Sequence, residues 1–132
     1  MQDRPSAAEL LAAVRAFLED DLLPQLEGRR RFHALVAANV LSIVEREMAQ
    51  GESHLRAEHA RLASLLGAAA HDGTLAALRD AVRGANERLA ERIRAGDADA
   101  GPFGEAVRAH LRATTEEKLA VANPRYGSAK PG

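Results

Sequence analysis

Four polar residues stand where helical spacing calls for apolar ones: Asn39, Glu47, Asn86 and Lys118. Asn39 follows Leu35 by four positions and precedes Ile43 by four, so a helix puts it on an apolar face. A buried amide without partners costs about 1–3 kcal/mol. The position therefore demands a hydrogen bond to a neighbouring helix, a ligand, or exposure at a helix edge. Glu47 extends the Phe32–Val36–Val40–Ile43 row by one turn, and Lys118 falls seven residues after Leu111. Both are expected to point inward near helix ends, where their charges can pair. Asn86 follows Val82 by four and precedes Leu89 by three. Together the four form a candidate polar site, against the plainer reading of scattered boundary positions.

Weaker candidates surround them. His59 lies between Leu55 and Leu62, and His110 borders Val107 and Leu111. A lone histidine in such a setting is more often a satisfied core or boundary residue than a ligand or base. Arg29-Arg30-Arg31 opens one predicted helix, and Glu19-Asp20-Asp21 ends the one before it. Each cluster opposes its helix dipole, and compensation across the turn is the favoured account over a phosphate or an acidic partner surface. Tyr126, the only tyrosine, is expected to fold back and pin the end of the last helix. The turn motif Asn-Pro-x-Tyr that it completes with Asn123 and Pro124 is read as chance.

Familiar catalytic patterns are missing. None of His33, His54, His59, His71 and His110 has a Glu three residues before it, so the pairing used by di-iron bundles is absent. There is no His-Glu-x-x-His and no glycine-rich phosphate loop, and Ser42 and Ser64 lack an elbow signature. No catalytic residue, metal ligand or cofactor is assigned, and activity of its own is not expected.

These side chains must be positioned by helices. Ala, Leu, Arg and Glu dominate, and strand-like alternation never appears. Ser6 and Glu9 form a capping box, followed by Leu10, Leu11, Val14, Phe17, Leu18 and Leu22 on one face, with Pro24 ending the helix near Leu23. A second helix spans about 29–50. Phe32, Leu35, Val36, Val40, Ile43, Val44 and Met48 give it a stripe wide enough for a central place, and Gly51 suits its C-cap. A third covers about 52–66, with Leu55, Leu62, Leu65 and Leu66 inward and Gly67 closing it. A fourth carries Leu75, Leu78, Val82, Leu89 and Ile93 as far as Gly96. Residues 97–102 read as a loop, and a fifth helix of about 103–121, bearing Phe103, Val107, Leu111 and Leu119, ends at Asn123-Pro124. The expectation is an all-α, compact antiparallel bundle of about five helices. It forms a single domain over 1–126, with a flexible tail over 127–132.

Composition narrows the rest. The chain has 132 residues, no cysteine, and 18 basic against 19 acidic residues, for a net charge of -1. Such a balance gives no general attraction to nucleic acid or anionic membrane, and with aromatics at 3% there are few platforms for stacking bases. No apolar run approaches the roughly 20 residues that span a bilayer, and no signal peptide is evident at the start. A cytoplasmic protein is expected.

Four segments carry a family likeness: Arg4 to Leu11, Phe32 to Asn39, Val44 to Glu47, and Lys118 to Tyr126. Together they resemble a family of small bacterial helical domains of unknown function, often encoded beside aminoglycoside-phosphotransferase-like kinases and acyl-CoA dehydrogenases. The resemblance implies a place in acyl-CoA or hydroxy-acid metabolism, as an accessory protein to the kinase or the dehydrogenase, and it supplies no catalytic residues. Two readings follow. One is an interaction module, either a homodimer or a subunit docked on a neighbouring enzyme, which requires an exposed apolar patch. The other is a binder of an acyl or phosphorylated metabolite, with a pocket bordered by the polar residues above.

Overall fold

A computed structural model describes residues 3–127. Among them every regular element is helical: α1 (Ala7–Ala16), α2 (Gly28–Leu66), α3 (Leu75–Arg94), α4 (Gly101–Ala122) and α5 (Pro124–Gly127). A π-helical turn over Phe17–Leu22 and a 3₁₀ turn over Leu23–Gln25 extend α1. The all-α expectation holds. The expected tail lies outside the described residues from 128 onward, while Gly127 closes α5.

One boundary needs correction. The second and third predicted helices are a single helix of 39 residues that runs straight through Gly51. A glycine inside a helix costs only about 1 kcal/mol relative to Ala, and neither a proline nor a left-handed residue reinforces it as a stop. The helix ends instead at Gly67, whose φ of 67° lets the Ala68 N–H reach back to the Ala63 carbonyl at 2.9 Å.

The chain divides into two compact units, residues 1–50 and 51–132. In the first, the predicted capping box is present: the Ser6 N–H donates to Glu9 at 2.7 Å and the Glu9 N–H donates to Ser6 Oγ at 3.2 Å. The helical run continues past Ala16 because Pro24 occupies the start of the 3₁₀ turn, where its missing N–H is not needed. Arg15 Nε donates to Glu45 at 2.7 Å, tying α1 to α2. Leu23 and Ala38 are buried.

In the second unit, the C-terminal half of α2 joins α3 and α4 around Leu62, Val82, Ala85, Leu89 and Val107. Leu55, Leu65, Leu66 and Phe103 pack on this core from its edges, as their spacing suggests. Thr74 caps α3 by accepting from the Ala77 N–H at 3.2 Å. Gly104 is buried, and a Cβ there would lie 2.5 Å from the Ala98 carbonyl oxygen, so glycine is what lets α4 approach the preceding turn. The Arg92 guanidinium stacks 3.9 Å from the centre of the Phe103 ring and also holds Asp97 at 3.0 Å, closing the same turn.

Candidate functional site

The four leading polar residues are split between the units. Asn39 and Glu47 belong to the first, Asn86 and Lys118 to the second. Asn39, Glu47 and Lys118 are exposed, so the expectation that they point inward is corrected. The helical phase was sound for Asn39 and Glu47. The apolar face they share is itself exposed, and solvent can satisfy both side chains. Asn86 is half-buried, and its amide donates to Glu58 at 3.0 Å, which is a structural partner.

That bond leads to a polar network that the spacing did not reveal. Glu58, His110 and Thr114 are the buried polar residues of the second unit. Arg61 organises them from α2. Its guanidinium donates to both Glu117 oxygens, at 2.6 and 3.0 Å, to Thr114 Oγ1 at 3.2 Å and, at 3.4 Å, to His110 Nδ1. The bidentate bond to Glu117 holds that carboxyl below its ordinary value and raises Arg61 in turn. Burial lowers His110, and the adjacent Arg61 charge lowers it further, so a neutral ring accepts from the guanidinium. The plainer reading of His110, a satisfied core histidine, fits this geometry. Correspondingly, α4 turns His110 and Thr114 inward and leaves Leu111 exposed, contrary to expectation. The signal available in the sequence was the i, i+3, i+4, i+7 series Val107, His110, Leu111, Thr114, whose polar members share a face with Val107.

His59 lies elsewhere in the second unit. Its ring is 5.7 Å from that of His71, on a pocket of about 460 Å³ that Arg56, Ser64 and Leu78 also line. His71 Nδ1 accepts from the Gly73 N–H at 3.4 Å, while its Nε2 is buried with no hydrogen-bond partner. None of Asn39, Glu47, Asn86 and Lys118 borders this pocket.

The charge clusters do not pair across the turn. Arg31 donates to the Leu23 carbonyl and Glu19 pairs with Arg15 at 3.2 Å, while Arg29 and Arg30 are exposed. Tyr126 is 68% exposed, so it does not pin the last helix; that helix stops where Asn123 breaks the geometry before Pro124. Among the described residues, no cluster of three or more His, Cys, Asp or Glu could hold a metal ion. No helix among them is long and apolar enough to cross a membrane.

The most distinctive surface is in the first unit. On α1 and the π turn that extends it, Leu10, Val14 and Phe17 are exposed at spacings of four and three. On α2, Phe32, Leu35, Val36, Val40, Val44 and Met48 are exposed, from 63% at Phe32 to 39% at Val44. The same stretch buries Ala38 and half-buries Ala34, Leu41, Ser42 and Glu45. This half of α2 thus turns Ala38 inward, keeps Leu41 and Ile43 half-buried, and presents most of its large apolar side chains outward. The stripe expected at the centre of a bundle faces solvent.

The described residues form a helical domain, strand-free among them, with a polar network in one unit and an uncovered apolar face in the other. The chain belongs to the DUF6285 family, a domain of unknown function, which matches residues 24–126. No curated protein and no solved structure matches it.

Proposed function

We propose that this domain is a protein–protein interaction module whose docking face is the apolar surface of the first unit. The observation that carries this reading is the exposure of nine large apolar side chains between Leu10 and Met48. A face of this kind is costly to leave in water, at about 25 cal/mol per Å² of apolar area, and covering it drives association. The resemblance noted above favours a phosphotransferase-like kinase or an acyl-CoA dehydrogenase as the enzyme served, with this chain as accessory subunit. The test is co-purification of the tagged protein with enzymes of those two classes from its host. Stoichiometric recovery that is lost in Val14→Glu, on the exposed α1 row, supports the reading. Recovery unchanged in variants of both rows would sink it.

A second reading rests on His71. A buried, unpaired Nε2 beside a pocket of about 460 Å³ is a ready partner for an anionic oxygen, as in an acyl carboxylate or a phosphate. Titrating inorganic phosphate or acetate while following the His59 and His71 imidazole resonances tests it. Unmoved resonances up to millimolar ligand exclude a site of useful affinity.

A further inference from the structure

The apolar row on α2 has the same spacing in both directions. Phe32, Val36, Val40, Val44 and Met48 are each four residues apart, so turning the helix end for end about Val40 exchanges Phe32 with Met48 and Val36 with Val44. All five are exposed. A row with this spacing runs as an inclined ridge, and two such ridges interdigitate when helices cross at about −50°. An isologous dimer requires one patch that is complementary to itself, so that residue i meets j while j meets i, and the even spacing lets Phe32 meet Met48 and Val36 meet Val44 of the reversed copy.

We infer that the occupant of this row is a second copy of the chain, its α2 crossing antiparallel with the two-fold axis at Val40. The inference rests on the interaction reading above and assigns the partner at one of its two rows, leaving Leu10, Val14 and Phe17 on α1 for the enzyme.

Charge placement supports the antiparallel sense. At the N-terminal end of the row, Arg29 and His33 are exposed one turn apart on the same face; at the other end Glu47 is exposed. None of the three has an ion pair among the described residues. His33 and Glu47 lie equally far from Val40, so the reversed copy brings its Glu47 toward His33 and Arg29. A parallel copy would set Arg29 against Arg29 and Glu47 against Glu47.

The area is also adequate. The five exposed apolar side chains of this row form a patch within the roughly 300–600 Å² range of the largest patch on a typical monomer. Arg29, His33 and Glu47, exposed on its flanks, extend it toward the about 800 Å² per partner of a standard stable interface.

The chain has no cysteine, so a single introduced one is an unambiguous reporter. Val40→Cys places it on the axis, within disulfide reach of its copy. Phe32→Cys places it roughly 24 Å along the helix from the partner's equivalent. The expected result is a covalent dimer under mild oxidation for Val40→Cys and little for Phe32→Cys. In sedimentation equilibrium the natural chain is a dimer, and Val40→Asp raises its dissociation constant about 100-fold or more while helical circular dichroism is unchanged. A chain that stays monomeric through the micromolar range overturns the inference, as does cross-linking of Phe32→Cys equal to that of Val40→Cys. A monomer that still retains the kinase or dehydrogenase overturns self-association alone. A monomer that retains neither removes the interaction reading as well.

Discussion

At the residue scale, the side-chain order of the second unit gathers on Arg61. Three acceptors on α4 converge on its guanidinium, and Glu117 takes a bidentate bond. Removing it strands a carboxylate, a buried hydroxyl and a buried imidazole together. Arg61→Ala should therefore lower stability by about 1–3 kcal/mol, the lower part of the range for broken charge pairs because this pair is only three-quarters buried. Urea denaturation measures it, and a loss too small to resolve would mean that solvent replaces the network. The same residues set the acid limit. Glu117 and His110 both have lowered folded-state values, so each binds protons more readily when unfolded. The His110 contribution is complete above about 6.5, its ordinary value, and is lost as pH falls below that. The Glu117 contribution is complete above its ordinary 4.5 and fades as pH falls through its lower folded value. His110→Gln should flatten the stability profile just below pH 6.5 and leave the more acidic limb, to which Glu117 and the capping Glu9 both contribute. A profile identical to that of the natural chain would show that His110 titrates alike in both states.

Two glycines separate backbone freedom from backbone necessity at the scale of elements. Gly84 lies inside α3, and a Cβ there would meet nothing within 4 Å. Gly84→Ala should stabilise by about 0.5–1 kcal/mol by restricting the unfolded chain. Gly104 looks similar in sequence, yet its Cβ would strike the Ala98 carbonyl at 2.5 Å. Gly104→Ala should destabilise by about 1–3 kcal/mol, since a backbone atom must move. Thermal melts of the two variants should shift in opposite directions; a shift of the same sign would contradict the packing of α4 on its preceding turn. Such a distinction is invisible to propensity, which assigns both glycines the same cost. Gly51 shows the converse, where propensity and spacing suggested a helix end and the backbone simply continued.

At the scale of the whole molecule, large apolar side chains have two fates. Leu62 is fully buried in the second unit, and Leu62→Ala should cost about 2–5 kcal/mol at any protein concentration. Val36 is close to half exposed in the first unit, and Val36→Ala should change the stability of the isolated chain by less than about 0.5 kcal/mol. Its effect should grow with protein concentration, because the methyl groups matter only where a second surface covers them. Melting both variants across a range of concentrations separates the two fates. A concentration-independent cost at Val36 equal to that at Leu62 would place the α2 row inside a folded core.

Helix by helix, much of this was fixed by residue order. The Ser6–Glu9 box, the Thr74 cap and the glycine at the end of α2 act over one turn, and local hydrogen bonds decide them. Leu62, Val82, Leu89 and Val107 follow from periodicity, since residues three and four apart must share a face. Periodicity also grouped Asn39 and Glu47 with Phe32 to Met48. Only the tertiary structure decided what that shared face meets, and here it meets solvent. It alone brought Arg61, from a polar stretch of α2, to His110, Thr114 and Glu117 about 50 residues later. The physical reason is the same for both. A helix fixes the angle between its own side chains, while the surface each one faces depends on how separate helices pack, and that information lies in no single segment of the chain.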